Sequence, residues 1–242
     1  MNDTRRIQTF IGAMTLAALG FAGYASLTSH AMHPYLAAAV LALAIATSRM
    51  KAKLPGINGN MSVNLPFLLT AAVNLSSAEA VLVTCVSTAV QCWPRNKSKF
   101  KAQQMTFNLS MMTFASAVAS LLAHPTLLNR TPGSSDALGL VLAGGALFLG
   151  QTAPVAGIVA LSEKKKAISI WWELAHLSFP YYVLSAGVTS MVQAVGVHLG
   201  WGLALAVFPL MYGIHRSYRV YFSRMAESMR SEVLARAAGA GV

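Results

Sequence analysis

Apolar runs alternate with short basic loops along this chain, and the alternation has a single sign. When the runs are threaded through a bilayer in order, seventeen of the eighteen Lys and Arg residues fall on one side, and Arg130 alone falls on the other. Cytoplasmic loops carry the excess of Lys and Arg in multi-pass proteins. The pattern therefore predicts a multi-pass membrane protein with both termini in the cytoplasm. It also explains the net charge of +11 without nucleic acid. The basic residues sit between apolar segments, and no soluble domain offers a basic face. Only 10% of residues are charged, against about 25% in soluble domains, which is too little polar surface to cover a soluble globule.

A bilayer core needs about 20 apolar residues per helix. The apolar runs are 9–28, 34–50, 62–75, 78–93, 104–123, 137–161, 170–192 and 201–218. They predict an all-α polytopic bundle of about eight crossings, two of them a short hairpin. Arg5 and Arg6 before the first run resemble a signal-peptide start, but the run is long and has no clean small-x-small exit, so it is read as a retained helix. Between the second and third runs stands K-L-P-G-I-N-G-N, residues 53–60. Pro55, Gly56 and Gly59 forbid a continuous helix there. The expectation is a break, then two short helices packed inside the bundle and joined at Ser76 and Ser77; a re-entrant loop is the competing reading.

The chain divides into an integral membrane domain, 1–217, and a cytoplasmic tail, 218–242. In the tail, Tyr218, Phe222, Met225, Met229 and Val233 recur at four- and three-residue steps with Arg and Glu opposite. That is an amphipathic helix. It either lies on the inner leaflet or pairs, with its own copy or with a separate cytoplasmic signalling or transporter subunit. The bilayer is the expected partner, and no nucleic-acid partner is expected.

Polar groups at membrane depth are costly and mark candidate sites. Six stand out as ligand-binding candidates: Asn64, Asn74, Glu79, Gln91, Asn108 and Gln151. Asn64, Gln91, Asn108 and Gln151 lie on four different runs and would line one polar pocket if they converge. The competing reading is that each bonds a neighbouring helix as packing glue. Glu79, near the outer surface, would be wet or would cap a helix start. Glu173 and His176 share a helix face but follow Trp171 and Trp172, so they read as an interfacial belt. His30, His33, His124 and His198 all map to the outer side and are weak metal candidates. Cys85 and Cys92 are seven apart, about 10 Å along a helix, too far for a disulfide. No metal motif, no G-x-S-x-G and no phosphate loop occurs, so no enzyme activity and no cofactor is expected. Two N-L-S triplets, at 74–76 and 108–110, fall at membrane depth and are discounted as glycosylation acceptors.

Several strings carry a family resemblance: K-L-P-G-I-N-G-N-M-S-V-N-L-P-F at 53–67, V-Q-C-W at 90–93, F-N at 107–108, S-F-P-Y-Y at 178–182, and P-x-x-Y-x-x-H-R-S-Y-R-x-Y at 209–221. Together they resemble the multi-pass membrane module that precedes diguanylate-cyclase (GGDEF) and HD-GYP phosphodiesterase domains in some bacteria, acidobacteria in particular. The resemblance covers roughly residues 45–225. It implies a sensory module whose last helix leads to a cytoplasmic output domain. No G-G-D-E-F or H-x-x-G-Y-P residues are present, so no catalytic residue is carried over. The expectation is a membrane sensory or regulatory module acting through a separate partner. A small transporter, or the substrate-binding membrane subunit of one, is the alternative.

Overall fold

The computed structural model describes residues 3–29, 32–53, 60–62, 64–94, 102–124 and 136–199, with scattered positions between 213 and 228. Among these the fold is helical apart from one short ribbon. Seven helices follow in order: α1 (Asp3–Leu27), α2 (Pro34–Ser48), α3 (Leu65–Asn74), α4 (Ser77–Cys92), α5 (Ala102–Ala123), α6 (Asp136–Glu163) and α7 (Ala167–Leu199). The eighth apolar run, 201–218, and the apolar stripe of the tail lie outside the described residues. The described tail positions are helical and exposed.

Among the described residues three helices are long and apolar enough to cross a membrane: Arg5–Leu27, Ala102–Ala123 and Ala137–Glu163. The helix α3 is not. Its 10 residues make about 15 Å, half of a hydrocarbon core of about 30 Å. The third apolar run therefore forms a helix about half as long as a full crossing needs. The break before it was expected, but its form was not. Two strands, β1 (Lys51–Lys53) and β2 (Asn60–Ser62), pair antiparallel with Lys53 opposite Asn60 and Lys51 opposite Ser62. The helix α2 ends at Ser48, and two extended triplets then satisfy each other's backbone.

The bundle is arranged with the short helices inside. Eight residues of α3, from Leu65 to Ala72, are buried. Around it the long helices turn apolar side chains outward: Leu16, Leu19 and Leu27 on α1, Val141 and Leu149 on α6, Phe179 and Met191 on α7. The buried set includes Thr47, Thr84, Ser87, Thr88, Ser116, Ser120 and Thr189. Apolar outside with hydroxyls inside is the arrangement expected where lipid, not water, is the solvent.

Close packing of α5 on α6 depends on small residues. A Cβ at Gly150 would stand 2.7 Å from the Ala115 Cβ, and one at Gly139 would stand 2.9 Å from the Ala123 carbonyl oxygen. The antiparallel pair can therefore approach only because these positions are glycine. Pro154 and Pro180 lie inside α6 and α7 without ending either helix, as membrane helices tolerate. The tight turn into α7 places Lys164 at φ 55, a left-handed stop after the last helical residue.

Candidate functional site

The ends of α1, α3 and α5 and the starts of α2, α4 and α6 meet at one level, and Glu79 is the knot. Ser76 is the N-cap of α4, and with Glu79 it forms a capping box. The Glu79 carboxylate accepts from the Ser76 backbone N–H (3.1 Å) and the Ser76 hydroxyl (2.6 Å), and its other oxygen accepts from the His33 N–H (2.7 Å). The Ala78 N–H donates to Ser29 Oγ at 3.4 Å. The start of α2 is thus tied to the α3–α4 turn. The end of α5 joins them, because Ser120 Oγ donates to Ser77 Oγ at 3.0 Å. The start of α6 sits there too, with Gly139 against Ala123. Of the two readings for Glu79, capping is correct and wetting is not: it is 7% exposed. A buried carboxylate is tolerable here because three donors and a helix N-terminus face it.

The remaining candidates fall on separate helix seams. Between α4 and α5, Thr84 Oγ donates to Ser116 Oγ (2.9 Å), Cys85 lies 3.0 Å from Thr113 Oγ, and Asn108 Nδ2 donates to Cys92 Sγ (3.5 Å). Gln91, beside Cys92, is half-buried and also partnered. Between α3 and α7, Thr189 Oγ donates to the Pro66 carbonyl (3.2 Å), Asn74 Nδ2 donates to the Thr70 carbonyl (3.1 Å), and Gln193 Nε2 donates to Asn74 Oδ1 (3.3 Å). Between α6 and α7, the Tyr182 hydroxyl donates to Gln151 Oε1 (2.7 Å), and Trp171 Nε1 donates to Thr152 Oγ (3.1 Å).

The hydroxyl residues of these seams were not singled out in the sequence. A signal existed: Ser77 and Thr84 are seven apart, Ser116 and Ser120 four apart, the spacings that keep residues on one helix face. The histidines do not gather. His33 is exposed and His124 bonds the Ser120 carbonyl within its own helix; His30 and the side chain of His198 lie outside the described residues. Among the described residues no group of three or more His, Cys, Asp and Glu assembles. Both cysteines are free thiols. Glu173 and His176 are exposed beside Trp172.

Among the described residues three buried polar atoms find no partner: Asn64 Nδ2, Thr88 Oγ1 and Gln151 Nε2. Measured along its own helix from the shared end, Asn64 is about 15 Å down α3, Thr88 about 16 Å down α4 and Gln151 about 22 Å down α6, at 1.5 Å per residue. Asn64 occupies the N-cap of α3, the position where Asn ordinarily bonds a first-turn N–H, yet it makes no cap bond. Gln151 lies one turn beyond Leu147. That leucine packs in one cluster with Leu65, Tyr181 and Tyr182, so Asn64 and Gln151 border the same inner end of that cluster. Phe148 stands against the rings of Tyr182, Phe179 and Trp171 at 5.1, 5.9 and 6.5 Å. Each unmatched group can donate a hydrogen bond.

Neither a family model, nor a curated protein, nor a solved structure matches this chain.

Proposed function

We propose that the chain is a membrane sensory or regulatory module, without a catalytic site of its own, that binds a small ligand in the layer beneath α3. The observation that carries this reading is Asn64. It is 2% exposed, with a side-chain donor unmatched at the start of a buried ten-residue helix. Leaving such a group unsatisfied costs about 1–3 kcal/mol, and unmatched buried groups in native proteins gather at functional sites. The resemblance to membrane modules of GGDEF and HD-GYP proteins gives the same direction. In this reading the protein lies in a bacterial inner membrane with about eight membrane-embedded segments and both termini cytoplasmic. The tail, 218–242, carries the ligand state to a second copy or to a separate cytoplasmic partner.

Two measurements test the reading. In a background lacking Cys85 and Cys92, a membrane-impermeant thiol reagent is expected to label Met32→Cys from outside and Lys165→Cys only after permeabilisation. The reverse pattern overturns the orientation. Cross-linking at Met225→Cys and Met229→Cys tests the paired tail; no dimer at either position, with Phe222 shielded by lipid, overturns the signalling route.

One feature favours a second reading, a small transporter or its substrate-binding subunit. Transporters place the N-termini of interrupted helices at midplane sites, and α3 has that form. Flux of a bound ligand in proteoliposomes supports this alternative; binding without flux supports the sensor.

A further inference from the structure

We infer that the turn between α6 and α7 holds an anionic phospholipid, its phosphate on Lys164, Lys165 and Lys166 and an acyl chain along the outward face of α7. The inference goes beyond the ligand reading above and does not depend on it. It starts from where the turn stands. The helix Ala137–Glu163 is long and apolar enough to cross a bilayer. Its 27 residues make about 40 Å, against a hydrocarbon core of about 30 Å, so its charged end reaches the headgroup level. The three lysines follow, all exposed, and α7 begins at Ala167 and turns back.

The outward face of α7 fits a lipid chain. Ile168, Trp172 and Phe179 are 59%, 54% and 57% exposed, and steps of four and seven keep them on one side of the helix. Residues 168 to 179 cover about 16 Å along the axis, close to the depth of one leaflet, about half of 30 Å. Neighbouring rings brace the stripe: Trp171 stands 5.3 Å from Trp172, and Phe148 of α6 stands 5.9 Å from Phe179. A single lipid molecule with its headgroup at the lysines therefore lies along this stripe through its own leaflet.

Charge selects the headgroup. Two carboxylates stand near the three ammonium groups. Glu163 engages Lys165 at 2.7 Å, and Glu173 is exposed beside Trp172. His176 is the other titratable group beside the Trp172 ring. Three ammonium groups against two carboxylates leave one positive charge, the complement of one phosphodiester. A zwitterionic headgroup brings its own cation and leaves that charge unmatched. Free phosphate meets the lysines but has nothing to place on the apolar stripe. The opposite end of the bundle offers a contrast. Tyr35 is 91% exposed at the start of α2, yet no described residue at that level is Lys or Arg.

The test uses the full chain in nanodiscs with brominated lipids, which quench a tryptophan they touch. Trp93→Phe, Trp171→Phe and Trp201→Phe leave Trp172 as the reporter. Brominated phosphatidylglycerol and brominated phosphatidylcholine are compared, each diluted into the other lipid without bromine. Trp172 should favour phosphatidylglycerol about fivefold, the equivalent of about 1 kcal/mol, and the preference should shrink as salt rises. The triple variant Lys164→Gln, Lys165→Gln, Lys166→Gln should lose the preference while phosphatidylcholine still quenches, so the face still meets lipid. Glu163→Gln should raise the preference, a gain that misfolding does not produce. Tyr35→Trp, in a chain whose other tryptophans are replaced by Phe, should show no preference. Equal quenching by the two lipids at Trp172, or a preference that survives loss of the lysines, overturns the inference. An equal preference at position 35 does so too, as does displacement of phosphatidylglycerol by inorganic phosphate. Quenching by neither lipid shows that protein covers the face, a second copy included, and also overturns it.

Discussion

The helices α3 and α1 are both apolar, yet they live in opposite surroundings. Eight of the ten residues of α3 are buried, while only 17% of the apolar window of α1 is. The difference is in what each helix presents. The helix α1 turns Leu16, Leu19, Phe21 and Leu27 outward. The central pair, α3 and α4, instead brings Thr70, Thr84, Ser87 and Thr88 into the interior. In water the outer face would be an aggregation surface. In a bilayer there is no gain from hiding leucine from lipid, and helices associate through close packing and hydrogen bonds. Hydropathy therefore marks which segments enter the membrane, and small and hydroxyl residues mark which of them lie at the centre.

Paired substitutions can break this comparison. The largest effect is expected at Gly150, where a Cβ would meet Ala115. Gly150→Leu must push α5 from α6 and should cost about 3 kcal/mol or more. On the outer surface of the same helix, Gly145 has open space around it, so Gly145→Leu should change stability by less than about 0.5 kcal/mol. Thermal unfolding of both in the same detergent checks the pair, and equal losses would remove the distinction between inner and outer faces.

Glu79→Ala comes next. It leaves the Ser76 and His33 N–H groups facing a buried space with no acceptor, at a cost of about 1–3 kcal/mol. Amide hydrogen exchange should rise at the starts of α2 and α4 together. Exchange rising at α4 alone would show that Glu79 is only a cap and does not join the outer ends.

Ser116→Ala is a smaller cut. It removes the acceptor of the Thr84 hydroxyl in the seam between α4 and α5, and a loss of about 0.6 kcal/mol is expected. The smallest effect belongs to the exposed turn. Glu163, hydrogen-bonded to Lys165 at 2.7 Å, holds the Lys165 ammonium above the usual lysine value. A raised folded value means that any stabilisation is complete below the unfolded lysine value and fades as pH rises through the folded one. The ammonium is fully exposed, so Lys165→Ala should leave the unfolding midpoint at pH 7 unmoved within error.

The candidate residues divide along the same line. Asn74, Asn108 and Gln151 are visible in sequence as polar residues on apolar runs, and each does bond across or along a helix. Their partners are not visible, because Gln193, Cys92 and Tyr182 become neighbours only when specific helices pack. Thr88 is unremarkable in sequence, since hydroxyls are common in membrane helices. Only burial without a partner marks it out.

Composition and punctuation alone determined that the chain is helical and suited to a bilayer, and where its helices break. Apolar runs, the glycines and prolines of 53–60 and the Ser76–Glu79 capping box act locally, within a few residues of backbone. Tertiary structure decided the rest: that α3 is only ten residues long and buried, that a β-ribbon precedes it, and that Glu79 is buried rather than wet. It also decided which polar atoms are left unmatched. Whether a hydrogen-bonding group is satisfied depends on what stands within about 3 Å of it, and that distance is set by segments far apart in the chain.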